Sequence, residues 1–410
     1  MESFIDIDFQ EEAITSFTDH ISKEMAKALP AANSNLEMVV IIPAKDEAQH
    51  IKLTLESFKK QLCPNGKLFD NSRFEILVLC HNCSDSTQEE VERFFLTNGE
   101  LNGYALSLNS DVANTVGAAR RILMNIASDR IRQDNGLIIS TDADTKPDEY
   151  WLYHLAGYLN LDVGLICGLI LSDSNELSIQ ARNYLIAKDE YLLLKSRLES
   201  LLLPNPNDPW PRHGYHWGPN IAIKKGVYKA IGGIRPLHFL EDVDLYNRVV
   251  SEGFVARHCL NSTVITSTRI QSKCPEGFGA ELRDWTYIEG VSYNVEGLQK
   301  LLLRFQIYIM IKRYFLSKSN SVFNRIAKLS LLDPNDLRIL LESSPRVECL
   351  VLKMEAVLNK SEKWNATYPN TDVFKTCEDL KEYLKNDLDA DYLTFFHKNN
   401  SYRSLIQEET

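Results

Sequence analysis

The stretch GLIISTDADTKPDEYW, Gly136 to Trp151, decides how this chain is read. A short apolar run is followed at once by two carboxylates one residue apart, Asp142 and Asp144, and then by Pro147 with acidic and aromatic residues. The apolar run predicts a buried strand, and the proline with its followers predicts the start of a helix. The acidic pair therefore sits where a strand ends, which is where open α/β sheets bind ligands. A turning segment can bring two such carboxylates to one cation. Their hard oxygens suit Mg2+ or Mn2+, which in turn holds a diphosphate. Taken alone, two aspartates in a turn are also what an ordinary solvated loop contains.

Working outward, the same arrangement recurs. MVVIIP, Met38 to Pro43, predicts a buried strand closed by proline, with a helix from Ala48 to Gln61 after it. FEILVLCHN is a second strand, followed by a helix through STQEEVERFF, and YALSL is a third, before the helix GAARRILMNIASDRI. Strands alternating with helices predict an α/β fold, a mainly parallel central sheet flanked by helices, over residues 37 to 290. Residues 1 to 36 read as a helical extension ended by Pro30 and AANSN, and 291 to 410 as a mostly helical region. Between them lie VGLICGLIL, a long helix from Ile179 to Ser200, and the proline- and aromatic-rich LLLPNPNDPWPRHGYHWGPN, which reads as an ordered lip or lid.

The chain has 410 residues and a formal net charge of -11, which argues against a general nucleic-acid binder. Its eight cysteines are dispersed; only Cys80 and Cys83 are close, without a second pair at zinc-site spacing. MESFIDIDFQEE is acidic where a secretory signal needs a basic start, so a cytoplasmic location is expected. No transmembrane span is expected. LDVGLICGLIL is too short, and LLLRFQIYIMIKRYFL, Leu301 to Leu316, is interrupted by Arg304, Lys312 and Arg313. The latter reads as a core helix or a surface-bound amphipathic one, leaving peripheral membrane contact or a homo-oligomer open.

Other strand ends add to the acidic pair. IIPAKDE places Pro43, Ala44, Asp46 and Glu47 after the first strand, and VLCHNCSDST places His81, Asn82, Ser84 and Asp85 after the second. Asparagine or aspartate there can hydrogen-bond a base edge, and a proline turn can shape the wall behind it. GAARR supplies Gly117 for close approach, with Arg120 and Arg121 as phosphate partners. LEDVDLYNRV adds Glu241, Asp242 and Asp244.

In that order, IIPAKDE, HNCSDST, GAARR, STDADT, GPNIAIKKGVYKAIGG and LEDVDL resemble the nucleotide-sugar-dependent glycosyltransferases of family 2, with the GT-A fold, over Met38 to Trp285. The resemblance implies inverting transfer of a sugar from a nucleotide-diphosphate donor to a hydroxyl on a small-molecule, glycan or lipid-linked acceptor. It implies that Pro43, Ala44 and Glu47 line the nucleotide site, with Asn82 and Asp85 near base and ribose. Asp142 and Asp144 would form the motif for Mn2+ or Mg2+ and the diphosphate. Asp242 would be the catalytic base, with Glu241 orienting it or binding an acceptor hydroxyl.

Departures are visible too. His81 and Asn82 stand where many members carry paired acidic residues. The QxxRW motif of the membrane-embedded synthases is missing, with only an RDW echo at Arg283 and Trp285, which favours single-sugar transfer. His258 is the nearest late histidine for a metal. Arg269 is a candidate phosphate or acceptor contact, as are His213, His216 and Trp217 for the pocket. A nucleotidyltransferase and a noncatalytic nucleotide-sugar sensor are the competing readings; IIPAKDE in place of a basic glycine-rich opening counts against the first, the intact DAD and ED pairs against the second.

Overall fold

The first two strands are apolar on both faces, and every residue from Met38 to Ile42 and from Ile76 to Leu79 is fully buried. Such strands need cover on both sides, which helical crossovers between parallel strands supply. The computed structural model describes residues 2–173, 177–270, 277–288, 290 and 292–388 and has that arrangement. In chain order come α1 (Glu2–Ala28), β1 (Met38–Ala44), α2 (Ile51–Phe58), β2 (Phe74–His81), α3 (Thr87–Thr97), β3 (Gly103–Leu108), α4 (Val116–Arg130), β4 (Leu137–Ser140), β5 (Thr145–Pro147), α5 (Trp151–Ala156) and β6 (Leu165–Ser172). After α6 (Ile179–Leu202) follow β7 (Ile221–Lys224), α7 (Lys225–Ala230), α8 (Glu241–Ser251) and β8 (Ala256–Thr266). The remainder is α9 (Phe278–Tyr287), β9 (Asn294–Val295), α10 (Leu298–Ser317), α11 (Asn320–Ser330), α12 (Pro334–Glu342), α13 (Val347–Lys360), α14 (Glu362–Thr367), β10 (Thr371–Asp372) and α15 (Val373–Leu384).

The chain folds as two compact units, one of residues 1–173, 215–249 and 254–279, the other of 174–214, 250–253 and 280–410. The boundaries read from sequence divide it differently, at 36 and 290. In the first unit one eight-stranded sheet has the order β3-β2-β1-β4-β7-β6-β8-β5. The strands β1 to β4 are mutually parallel where they pair, β7 runs antiparallel between β4 and β6, and β6 and β8 are parallel.

The register decides what meets at the sheet edge. Ala44 lies opposite Cys80, and Ile41 opposite Ser140, so the segments leaving β1, β2 and β4 emerge together. Antiparallel β7 enters at that same edge, because Ile221 pairs with Ser140, and it brings Gly218 to Asn220 there. One expectation changes. Thr145 to Pro147 pair with β8 instead of opening a helix, which begins only at Trp151. The proline is tolerated because β5 is the edge strand. This pairing sets Thr145 opposite Thr266, so the residues just past β8 lie beside Asp144.

Asn220 joins the layers beneath. Its carboxamide accepts from Trp151 Nε1 at 2.9 Å and donates to the carbonyls of Leu169 and Ser262 at 2.8 and 2.9 Å. Gly168 leaves room for it, since a Cβ there would lie 2.3 Å from the Asn220 side chain.

The second unit is mostly helical. Arg304, which interrupts the apolar run of α10, is itself buried and bonded to Glu296, Asn359 and Tyr308. Leu301, Phe305, Tyr308 and Ile311 are buried too, and α10 packs on α6, α11, α13 and α15. The core-helix alternative thus accounts for this face. No helix among the described residues is long and apolar enough to cross a membrane.

Replacing Asn220 by leucine strands the Trp151 N–H and two carbonyls without partners. At about 1–3 kcal/mol for each buried unsatisfied group, the fold should lose roughly 3 kcal/mol or more. Urea unfolding monitored by tryptophan fluorescence measures it, and a loss below about 1 kcal/mol contradicts the role given to Asn220.

Candidate active site

The residues leaving β4 and those starting α8 are far apart in sequence, and Arg120 joins them. It lies in the second turn of α4, whose start Thr115 caps by accepting from the Ala118 amide at 3.1 Å. Arg120 is 5% exposed. Nη2 donates to Asp142 Oδ1 at 2.5 Å, and Nη1 donates to Glu241 Oε1. Gly218 makes this possible, because a Cβ there would lie 2.3 Å from Arg120 Nη2. Burial works against the arginine's charge, but Asp142, Glu241 and Asp242 around it outweigh that and raise its pKa further.

The carboxylates show the complementary strain. Burial pushes the pKa of Asp142 up; Arg120 pulls it down, and the charges of Asp144 and Asp242 push it up again. Glu241 is raised in the same way, by burial and by Asp242, against Arg120. Asp242 follows at the first turn of α8, where the free amides favour negative charge. Its Oδ2 accepts from the Gly218 amide at 2.6 Å and its Oδ1 from the Val243 amide at 2.8 Å. Asp244 is braced on its own helix by Arg248 at 2.7 Å.

A second arginine answers Asp144. Arg269 Nη2 donates to Asp144 Oδ2 at 2.5 Å and to Glu47 Oε1 at 2.8 Å. His50 Nδ1 lies 3.1 Å from Arg269 Nη1 and 3.2 Å from Glu47 Oε2. Glu47, expected at the nucleotide, is buried, and its amide donates to Thr87 Oγ1 at 2.7 Å. The two aspartates of the DAD turn therefore have different arginine partners.

The remaining expectations divide. Pro43 and Ala44 complete β1 beside β2. Asn82 has φ +49, and its carboxamide both accepts from the Ser110 amide at 2.7 Å and donates to the Ser110 carbonyl at 2.9 Å. Asp85 accepts from the amides of Ala48 and Thr87 at 3.1 and 3.0 Å and from the Thr87 hydroxyl. Both side chains thus hold the wall of the strand-end cleft. His81 is buried, with Nε2 against the Ala113 carbonyl. Gly117 serves a close approach, though to the protein's own backbone: a Cβ there would lie 2.3 Å from the Leu237 carbonyl oxygen.

Arg121 is corrected. Expected at the donor, it binds the Asp19 carboxylate of α1 at 2.9 and 3.2 Å and the Ile234 carbonyl at 2.6 Å. Successive residues of a helix point about 100° apart, so only one of the pair can face the acidic pocket. Both are buried, and what separates Arg120 from Arg121 is the carboxylates each one meets, which single-sequence spacing does not reveal.

His258 lies buried on β8 amid aromatic rings, 5.9 Å from Tyr246 and 6.4 Å from His216 between centroids. His216 stacks on Tyr246 at 4.3 Å, and Trp217 meets Tyr215 edge-on at 5.1 Å. His213 is buried within the helical unit, as is Trp285, whose ring meets those of Tyr184 and Tyr293. Among the described residues, the one group of three histidine, cysteine or carboxylate donors with ligating atoms within 4.8 Å of one another is Asp46, Cys83 and Asp85. The Asp46 carboxylate there accepts from the Ser84 amide at 2.6 Å and from its hydroxyl at 3.0 Å, which closes the turn after β2. Cys63, Cys80, Cys83, Cys349 and Cys377 are thiols outside any disulfide, and Cys274 lies outside the described residues.

The donor chemistry of the DAD turn is the kind a hard divalent cation takes, since Asp142 and Asp144 offer oxygen only, although they belong to no group of three donors within 4.8 Å of one another among the described residues.

Residues 39–231, just under half of the chain, match the family described as Glycosyl transferase family 2, and the fold is a GT-A-like glycosyltransferase fold of that kind. Sugar transfer is the general reaction that this match supports. No curated protein sequence matches the chain. Similar solved structures include a mannosyltransferase from Pyrobaculum calidifontis in complex with GDP-Man and Mn2+, at 13% identity and a TM-score of 0.42, covering 96% of this chain and 97% of that one. S. aureus TarS 1-349 in complex with UDP-GlcNAc is 15% identical with a TM-score of 0.43, covering 79% and 92%. Glucosyl-3-phosphoglycerate synthase from Mycobacterium tuberculosis, with Mn2+, UDP-Glc and phosphoglyceric acid, is 15% identical with a TM-score of 0.36, covering 64% and 85%.

The two neighbouring arginines should separate cleanly. Arg121→Met should lower the melting temperature by several degrees, by releasing Asp19 and the Ile234 carbonyl, while leaving nucleoside-diphosphate affinity within about twofold. Differential scanning fluorimetry and calorimetry read the two effects; a large loss of nucleotide affinity would return Arg121 to the donor site.

Proposed function

We propose that the protein is an inverting glycosyltransferase that moves a sugar from a nucleotide-diphosphate donor to an acceptor hydroxyl, with Asp242 as the base. The observation that carries this reading is the bridge from Asp142 through Arg120 to Glu241, with Asp242 next in the chain and tied to the Gly218 amide. It supports reading the acidic turn as the diphosphate side and the neighbouring carboxylate as positioned for proton transfer, a pairing that sugar transfer needs and a passive nucleotide pocket does not.

Asp142 and Asp144 would hold Mn2+ or Mg2+, whose contribution when bound is to neutralise charge on the leaving diphosphate. Pro43, Ala44 and Glu47 would line the nucleotide side, with Asn82 and Asp85 holding the wall near base and ribose. Asp242 would accept the acceptor's hydroxyl proton while that oxygen bonds to the anomeric carbon. As this bond forms, the bond from that carbon to the phosphate oxygen breaks and the nucleoside diphosphate leaves. The Gly218 and Val243 amides aim the carboxylate and hold it in place. Glu241 is spent on Arg120, which suits an orienting group better than a second base. The acceptor is a small-molecule, glycan or lipid-linked hydroxyl compound, and the location is cytoplasmic, with peripheral membrane contact or a homo-oligomer as the open options.

Asp242→Asn keeps size and hydrogen-bonding shape and removes the proton acceptor. Single-turnover transfer should fall by the ~10²–10⁴-fold typical of a positioned general base, with donor dissociation constant little changed. Asparagine is itself a good helix cap, so a purely capping Asp242 would leave turnover largely intact. Near-normal transfer removes Asp242 as base, and retained anomeric configuration in the product overturns direct inversion.

A further inference from the structure

The two arginines on the acidic turn differ in a way the reaction does not require. Arg120 is sealed between α4, the turn and α8, with both carboxylate partners in place. Arg269 is more open, its side chain 22% exposed, and it comes from the segment just beyond β8, not from a helix. One of its nitrogens, Nη2, serves two carboxylates at once, Asp144 at 2.5 Å and Glu47 at 2.8 Å. It therefore sits on Asp144 Oδ2, an oxygen of the pair proposed to bind the cation.

We infer that Arg269 is an internal counter-ion that occupies the Asp144 carboxylate in the free protein and yields it when the cation binds, turning its guanidinium to the donor's diphosphate. This rests on the proposed function and adds an exchange to it. The charges make the exchange necessary. Like charges a few ångströms apart in a part-buried cleft repel strongly, so a divalent ion at Asp144 and a guanidinium on the same oxygen are incompatible neighbours. The charges also make the exchange easy. Glu47 and His50 stay beside the arginine as it leaves Asp144, so its other contacts need not all break together. An arriving diphosphate offers the fork-shaped guanidinium a new anionic partner. Burial opposes the charge on Arg269, and Glu47 with Asp144 more than restores it, so it remains a full cation throughout.

This arrangement makes the two ligands respond in opposite directions to one substitution. Arg269→Gln removes the competitor for Asp144 and also the donor's phosphate partner. Mn2+ binding by the protein without nucleotide, read by the loss of the free-ion paramagnetic resonance signal, should tighten on the order of 10-fold. Nucleoside-diphosphate binding with Mn2+ saturating, read by calorimetry with uridine, guanosine and adenosine diphosphates, should weaken by a similar ~10-fold factor. Arg269→Lys keeps the charge and should leave Mn2+ affinity near that of the unmodified protein, while Asp144→Asn should abolish the gain when combined with Arg269→Gln. Circular dichroism establishes that each variant is folded. Unchanged or weaker Mn2+ binding in folded Arg269→Gln, with binding in the parent still dependent on Asp144, overturns the counter-ion inference and leaves the enzyme reading intact. Mn2+ binding independent of Asp144 in every variant overturns both the inference and the cation assignment, whereas sugar transfer measured on the parent reports separately on the reaction.

Discussion

The site depends on one buried cation. Asp142 and Glu241 come from segments about a hundred residues apart, and each is pushed toward its neutral form by burial. Packed together without compensation they would repel, and the segments carrying them would have to separate. Arg120 resolves this by lying between them with a bond to each. A buried ion pair contributes little net stability because desolvation offsets the attraction, so its value here is geometric. It fixes where the acidic turn stands relative to the first turn of α8, and with it where Asp242 stands.

The rest of the first unit can be understood as holding that arginine. Thr115 starts α4 so that Arg120 reaches the segments leaving the strands, and Arg121, turned about 100° from it, anchors another face of the same helix to Asp19 and the 232–234 turn. Gly117 and Gly218 each sit where a side chain would collide, the first with the Leu237 backbone and the second with the Arg120 guanidinium. Both therefore let other segments close on α4. The close fit leaves no slack, so the acidic turn, α4 and the start of α8 behave as one packed body.

The sheet was legible in the sequence because its evidence is local. MVVIIP, FEILVLC and GLIIS are too apolar to be anything but two-sided buried strands, and β1, β2 and β4 fall within a residue or two of where the pattern places them. The strand ends, and hence the carboxylates, followed. What did not follow was every feature set by non-local pairing. Pro147 looks like a helix start until β8 pairs with its neighbours. Arg120 and Arg121 are equivalent in a string of letters, and both are buried; only their partners, Glu241 for the first and Asp19 for the second, each about a hundred residues away or more, distinguish them. Asn82 and Asp85 have the side chains a base pocket wants, yet both are committed to backbone amides, a demand set by the turns at the end of β2.

The same distinction explains why Arg269 could be suspected but not placed. From the sequence it is a candidate phosphate or acceptor contact without a place; in the fold, Thr266 pairs with Thr145, and three residues on brings an arginine to the turn that ends one residue before that threonine. An antiparallel edge strand of three residues is a weak element by itself. Its pairing with β8, tightened by the Thr145 to Thr266 hydroxyl bond at 2.9 Å, is what carries a positive charge to Asp144. The balance of charge in the cleft, two arginines against five carboxylates (Glu47, Asp142, Asp144, Glu241 and Asp242), is thus assembled from both ends of the sheet. It leaves this group of side chains with an excess of acidic over basic members, a balance that favours a cation over a free anion as neighbour.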